Sequence, residues 1–264
     1  MQWLRLLDPA QFLLFTLILT RVSGLVMTAP IYGTTEIPTN VRVLLAVALA
    51  VLVAPSQFGR STPDPGTLIQ YLLLVGSELL VGVALGFGIV ILLSGIEVAG
   101  QLIGYTGGLL AAEVFDPTQQ GNVSVFSRLL TLLVLAIFVA IGGHRMVMAG
   151  LLDTFQTIPP GSTVAPGCLY ETLIELVTQS FALGIRASAP LVTALLLANL
   201  VLGLIGRTLP QLNILVVGFG VNTMLALGAL VLSLGAAVWV FEDQIGWALQ
   251  SILRALGAGS SADV

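Results

Sequence analysis

The sequence predicts an all-α fold, a polytopic membrane protein made of bent helical hairpins. Of its 264 residues, 57% are hydrophobic and only 8% are charged, and the mean hydropathy is +1.06. A soluble globular protein carries about a quarter charged residues, so this chain has too little polar material to cover a surface in water. The apolar residues form continuous blocks and not alternating segments, which favours helices over a β-barrel.

Several function classes are excluded at this point. The net charge is −4, and the nine basic residues, all arginine, form no basic run, so we expect no nucleic-acid partner. Cys168 is the only cysteine, which excludes an internal disulfide and a multi-cysteine metal site. No zinc-binding, phosphate-binding or nucleophile motif occurs in the sequence, so we expect neither a cofactor nor an enzyme.

The first apolar block covers residues 12–27 and is interrupted by Arg21. A proline-bounded loop follows, and then a block over 41–54, which ends at Pro55 and is short for a membrane span of about 20 residues. The region 68–110 is long, rich in glycine and contains Glu78 and Glu97. Its glycine pairs 82/86 and 100/104 have the spacing that lets helices approach closely.

The second half of the chain also consists of apolar blocks separated by polar breaks, without a strict internal repeat. The block 129–141 ends at "GGHR", and "DTFQTIPPGSTVAPG" is predicted to be a loop. The blocks 181–205 and 214–241 flank the polar turn "RTLPQLN", in which a proline should end the first helix. We expect a single domain over residues 1–257 and a disordered tail over 258–264.

Five polar residues fall within or beside apolar blocks and are candidate buried groups. In a membrane such groups are costly, so each is a candidate for an ion or proton path. The alternative is a structural ion pair or hydrogen bond that fixes helix register, and we favour it because the chain has no dense series of acids and histidines. His144, the only histidine, is likewise assigned a structural role. The five residues are Arg21, Glu78, Glu97, Arg186 and Asn199.

The stretch "VFDPTQQGNVSVFSR" joins bulky apolar residues to an Asp-Pro turn. One interpretation is a surface loop whose aspartate caps the next turn, and the residues by themselves favour it. The alternative is a loop turned inward, whose apolar side chains close a passage by excluding water. The candidate channel plug comprises Leu110, Val114, Phe115, Asp116 and Pro117.

Taken together, an ordered set of motifs resembles the FliR/SctT family of flagellar and injectisome export-gate subunits. The set is "TAPIYGTTEIPTNVRVLLAVALAVLVAP", "LLVGVALGF", "FDP", "GGH", "DTFQTIPPG" and "NLVLGLIGRTLPQLNILVVGFG". It covers the chain from about Arg21 to Gly220. The resemblance implies a multi-pass protein of the bacterial inner membrane and the flagellar basal body.

The resemblance also implies partners and a function. Such a subunit forms with FliP and FliQ a channel through which unfolded flagellar proteins are exported, with FlhB around its base and FlhA beneath. Its helices are then covered mainly by other proteins, and the lipid bilayer is a secondary solvent. The candidate inter-subunit hairpin is formed by Arg207, Pro210, Gln211 and Asn213.

Two alternatives remain open from the sequence. The chain could serve an injectisome gate in place of a flagellar one. It could also, in a different class, be a self-contained secondary transporter or ion channel whose site contains Glu78, Glu97 and Arg186.

The plug assignment makes a direct prediction. Replacing Phe115 with alanine removes a bulky apolar group from the constriction, so closed gates should leak small ions. Membrane conductance of cells that express the variant measures this leak, and a conductance equal to that of the parent chain would count against the plug.

Overall fold

In a computed structural model, the chain is described over residues 9–34, 37–58, 65–108, 125–162, 166–209, 211 and 213–260. All regular elements in this part of the chain are α-helices. They are α1 (Pro9–Thr28), α2 (Thr39–Gln57), α3 (Leu68–Thr106), α4 (Val125–Ala140), α5 (Gly143–Thr157), α6 (Pro166–Thr208) and α7 (Ile214–Ser260). The predicted all-α class is therefore confirmed.

Several helices are long and apolar enough to cross a membrane. Within the described residues α1, α2, α3 and α6 qualify by themselves, and α4 with α5 would form a fifth span interrupted by a break. This number of spans confirms the prediction of a polytopic membrane protein. Helix α2 begins at Thr39 and continues past Pro55 to Gln57. With 19 residues it is longer than the block predicted over 41–54.

Three helices exceed the thickness of a membrane by a wide margin. Helix α3 has 39 residues, α6 has 43 and α7 has 47. At a rise of about 1.5 Å per residue they are about 58, 65 and 70 Å long, whereas the hydrocarbon core of a bilayer is about 30 Å thick. A single upright crossing would therefore leave about half of each helix outside the hydrocarbon.

The chain divides into two compact units. The first contains Met1–Ile91, Gly142–Leu176 and Gln244–Val264, and the second contains Leu92–Ile141 and Val177–Asp243. Helices α3, α6 and α7 each contribute residues to both units. The expected single domain over residues 1–257 stays a prediction.

In the first unit, α1 and α3 touch at their backbones. A Cβ atom on Gly82 would overlap with the carbonyl oxygen of Arg21, and one on Gly86 would crowd Thr28 and Ala29. From the other side, a Cβ on Gly24 would lie 3.0 Å from the carbonyl oxygen of Leu79. The spacing of Gly82 and Gly86 thus serves the close helix approach that the sequence predicts.

In the second unit, the same device joins α3 to α6 and to α4. A Cβ on Gly95 or on Gly184 would overlap with backbone of the facing helix, and one on Gly100 would lie 2.6 Å from the Cα atom of Ser127. Beside these contacts lies a small apolar core. Its buried members are Ile103, Phe126, Leu195 and Ala226.

The break between α4 and α5 is built on the "GGH" motif. Gly142 has a φ of +77°, a left-handed conformation that glycine adopts without strain. Its carbonyl oxygen accepts hydrogen bonds from the backbone N–H groups of Arg145 and Met146, at 2.8 and 3.1 Å, and these begin α5. Residues 141–142 therefore end one helix and start the next.

Helix α6 is exposed along much of its length. Only 11% of the residues in its most apolar stretch are buried by the rest of the chain. Large side chains such as Leu196, Leu200 and Leu204 lie on its outer surface. The described part of the chain does not cover this surface.

The helix contact at Gly82 makes a prediction. Gly82→Ala adds a methyl group against the backbone of α1 and should destabilise the protein by about 1–3 kcal/mol, the usual cost of overpacking. Thermal unfolding of the detergent-solubilised chain measures the loss.

Gly76→Ala is the matched control for this substitution. Gly76 lies on the same helix, and a Cβ there meets nothing within 4 Å. Alanine should be neutral or stabilising by up to about 1 kcal/mol, because it is the better helix former. Equal unfolding temperatures for the two variants would contradict the close contact.

Candidate functional site

A buried ion pair lies at the centre of the first unit. Arg21 of α1 and Glu78 of α3 have 0% and 1% of their side chains exposed, and the Nε of Arg21 donates to Oε2 of Glu78 at 2.6 Å. The guanidinium also lies 4.5 Å from the centre of the Phe155 ring, on α5. A planar cation suits this place because it binds a carboxylate and stacks on a ring at the same time.

Two further polar atoms of the pair bind the end of α5 and the turn after it. Nη1 of Arg21 donates to the carbonyl oxygen of Ile158 at 3.0 Å and to Oγ1 of Thr154 at 3.3 Å. Oε1 of Glu78 accepts from the backbone N–H of Gly161 at 2.8 Å. One ion pair therefore joins three helices and the turn that follows α5.

These contacts explain the "DTFQTIPPG" motif. Thr154 and Phe155 lie in α5, so the predicted loop is wrong for residues 153–157. The helix ends at Ile158, and Gly161 follows with a φ of +90°, which presents its N–H to Glu78. The stretch is helical because its apolar face is buried, and propensity alone does not reveal that.

The polar atoms of this pair are bound mainly within the protein. Both oxygens of Glu78 and two of the three nitrogens of Arg21 are engaged within the protein. The third, Nη2, is buried with no hydrogen-bond partner in the described chain. A nearly fully buried carboxylate whose two oxygens bind an arginine and a backbone N–H is an arrangement suited to fixing the register of the helices.

The other charged candidates lie in the second unit. Glu97 is half-buried on α3, and its backbone carbonyl accepts a hydrogen bond from Oγ of Ser127 at 3.1 Å. Arg186 is exposed on α6 and has no ion pair in the described chain. The structure therefore does not bring Arg186 into a buried site of this chain.

Asn199 belongs to a second polar centre, at the end of α3. It is exposed on α6, and its Nδ2 donates to the carbonyl oxygen of Thr106 at 2.8 Å. Its Oδ1 accepts from Nδ2 of Asn222, on α7, which also donates to the carbonyl oxygen of Gly107. The sequence prediction missed Asn222, although a lone amide in the apolar block 214–241 was the same kind of signal that identified Asn199.

The candidate hairpin connects α6 to α7. Arg207 and Gln211 are exposed, and neither side chain makes a hydrogen bond in the described chain. The carbonyl oxygen of Asn213 accepts from the N–H groups of Val216 and Val217, and its Oδ1 lies 3.4 Å from the former. Asn213 thus begins α7, whereas Pro210 lies outside the described residues.

The candidate plug, from Leu110 to Pro117, also lies outside the described residues. His144 lies half-buried in the first turn of α5, and its Nδ1 is buried without a hydrogen-bond partner there. In the part of the chain that the structure describes, no three histidine, cysteine, aspartate or glutamate side chains form a group that could hold a metal ion.

Comparison with known proteins shows the family to which the chain belongs. The profile of the family described as "Bacterial export proteins, family 1" matches residues 12–247. The chain is 33% identical over 236 residues to the flagellar biosynthetic protein FliR of Escherichia coli K12, covering 87% of this chain and 88% of that protein. It is 33% identical to FliR of Aquifex aeolicus, covering 84% and 86%, and 29% identical to FliR of Bacillus subtilis, covering 77% and 79%.

The buried ion pair makes a prediction about stability. Arg21→Met leaves Glu78 buried without its cation and should cost about 3–5 kcal/mol. In the double variant Arg21→Met/Glu78→Leu the unpaired charge is gone, so most of that loss should be recovered. Unfolding of the solubilised chain measures both.

Arg254→Met is the control, since Arg254 is exposed near the end of α7. It removes one arginine without breaking an ion pair and should leave stability unchanged. The losses of unfolding free energy in Arg21→Met and Glu78→Leu are then compared with the loss in the double variant. A loss in the double variant equal to the sum of the two would show that the charges do not interact.

Proposed function

Because the chain belongs to the bacterial export proteins of family 1, we propose that it is a structural subunit of the flagellar type III protein export gate. In this role it lies in the bacterial inner membrane and, with FliP and FliQ, forms the channel through which unfolded flagellar proteins leave the cell. It is a channel component and not a catalyst.

The relatives support the flagellar assignment. The relatives from Escherichia coli, Aquifex aeolicus and Bacillus subtilis all carry the name flagellar biosynthetic protein FliR, and the chain covers more than three quarters of the length of each. The match extends over both units, so it is not limited to one shared helix pair. This favours a flagellar gate over an injectisome gate.

The single structural observation that carries the proposal is the bare apolar surface of α6. At about 65 Å this helix is twice as long as the bilayer core, so lipid cannot cover all of it in one upright crossing. Arg186 lies exposed within the helix, without an ion pair in the described chain. A charged group on an apolar surface is satisfied better by a neighbouring protein than by lipid tails.

The hairpin between α6 and α7 is the proposed contact with neighbouring subunits. Arg207 and Gln211 present hydrogen-bond donors that the described chain leaves free, and a side-chain amide also offers an acceptor. Asn213 is already committed to the start of α7. We therefore assign the intermolecular bonds to Arg207 and Gln211, and the local capping to Asn213.

The remaining parts of the proposal rest on the family resemblance. They are the channel plug formed by Leu110, Val114, Phe115, Asp116 and Pro117, FlhB around the base of the gate and FlhA beneath it. The rival function is a transporter with Glu78, Glu97 and Arg186 in its site. It is disfavoured because both oxygens of the buried Glu78 bind Arg21 and Gly161, and because Arg186 lies on the outer surface of α6.

Co-expression with tagged FliP and FliQ tests the proposal. The chain should co-purify with FliP in a stable complex, and it should be poorly behaved in detergent when it is expressed alone. A chain that is stable alone as a monomer or small homo-oligomer and binds a solute would instead establish the transporter.

The hairpin assignment is tested in the same assay. Arg207→Ala/Gln211→Ala should reduce the recovery of the chain with tagged FliP by about fivefold, as expected when two exposed hydrogen bonds of about 0.5–1 kcal/mol each are lost. Thr208→Val is the control, because Thr208 lies in the same exposed stretch and its Oγ1 bonds only the carbonyl oxygen of Ile205 in its own helix. Equal recovery of both variants would overturn the hairpin contact.

A further inference from the structure

The end of α3 is held by side chains from two other helices. The last carbonyl groups of any helix have no partner within it, so they must be satisfied from elsewhere. Here the helix ends at Thr106, followed by Gly107 and by Gly108 with a φ of +69°. The carbonyl oxygens of Thr106 and Gly107 accept from Asn199 and Asn222, at 2.8 and 3.1 Å.

The orientation of both amides follows from their neighbours. Nδ2 of Asn222 faces two acceptors, the carbonyl oxygen of Gly107 and Oδ1 of Asn199, which lie 3.1 and 2.8 Å away. Turning the amide over would place an oxygen against two oxygens, so the arrangement allows one assignment only. Both hydrogens of that NH₂ group are used, and they link α7 to α6 and to the end of α3.

Asn222 lies in the interior of the second unit. The residue is only 4% exposed, and both hydrogens of its amide bind Asn199 and the carbonyl oxygen of Gly107. An apolar residue of the same size would fill the same space but would leave the end of α3 without these donors. The amide is therefore best explained by the helix end that it holds in position.

We propose that Asn199 and Asn222 are positioning residues of the export channel. Together they form a polar latch that fixes the last turn of α3, as far as Gly107, against α6 and α7. The bonds of the latch are properties of this chain alone. Its consequence, a tightly closed channel, rests on the function proposed above.

Hydrogen exchange of the full-length chain in mild detergent tests the latch. Asn222→Ala removes two of its three hydrogen bonds, and the amides of Gly107 and Gly108 should exchange about tenfold faster. Thr223→Ala is the matched control. Thr223 is the next residue of α7, and its Oγ1 bonds only the carbonyl oxygen of Phe219 in its own helix, so exchange at the end of α3 should not change.

Asn199→Asp is the second variant, in case a buried alanine at position 222 prevents folding. Asn199 is exposed, and aspartate still accepts from Asn222 but no longer donates to Thr106. Exchange at Gly107 should again accelerate, by less than with Asn222→Ala. Unchanged exchange in a folded variant overturns the latch.

The effect of the latch on the closed channel is tested with gates assembled with FliP and FliQ in sealed membrane vesicles. At equal amounts of assembled gate, Asn199→Asp should raise the leak of small ions severalfold over Thr223→Ala. Faster exchange together with an unchanged leak overturns the positioning role. If the unsubstituted chain enters no gate at all, the proposed function fails, and the exchange measurement still decides whether the latch exists.

Discussion

A chain with 8% charged residues cannot cover its own apolar surface, and this constraint shapes the whole structure. Inside each unit, glycine brings the helix backbones into contact, because small residues allow the close packing that apolar helices need in an apolar solvent. Outside, long stretches of α6 remain bare. The helices are therefore closely packed within each unit, while apolar side chains of α6 remain exposed. An exposed apolar surface of this kind is expected of a subunit that packs against other proteins.

The two polar centres solve the same physical problem in different ways. In the first unit a full charge is buried and is stabilised by an opposite charge, a ring face and backbone groups around it. In the second unit two neutral amides satisfy the end of a helix. An ion pair breaks at great cost when one partner is lost, whereas an amide contact of about 1 kcal/mol can be altered without unfolding the chain. A positioning role accordingly suits the amides, and a fixed register suits the ions.

Much of the fold could be predicted from the sequence, because apolar blocks and prolines mark helices locally. Arg21 and Glu78 stood out as charges in apolar blocks, but their other partners did not. Thr154 is 133 residues from Arg21, and the groups of Ile158 and Gly161 that bind the pair belong to the backbone, which no side-chain pattern reveals. The sequence also did not reveal which polar residues are exposed. Arg186 and Asn199 lie in an apolar block as Arg21 does, yet both are exposed on α6, whereas Arg21 is buried.

Site-specific photocrosslinking in living membranes tests most directly whether proteins cover this surface. A photoreactive residue is placed at Leu196 or Leu200, which are 56% and 63% exposed on α6, and at Leu195, which is fully buried beside them. If α6 is an intersubunit surface, the two exposed positions form discrete adducts with other proteins and the buried one does not. Adducts with lipid alone at Leu196 and Leu200 would show that the helix faces the bilayer, and would contradict the assignment of this chain as a gate subunit covered by its neighbours.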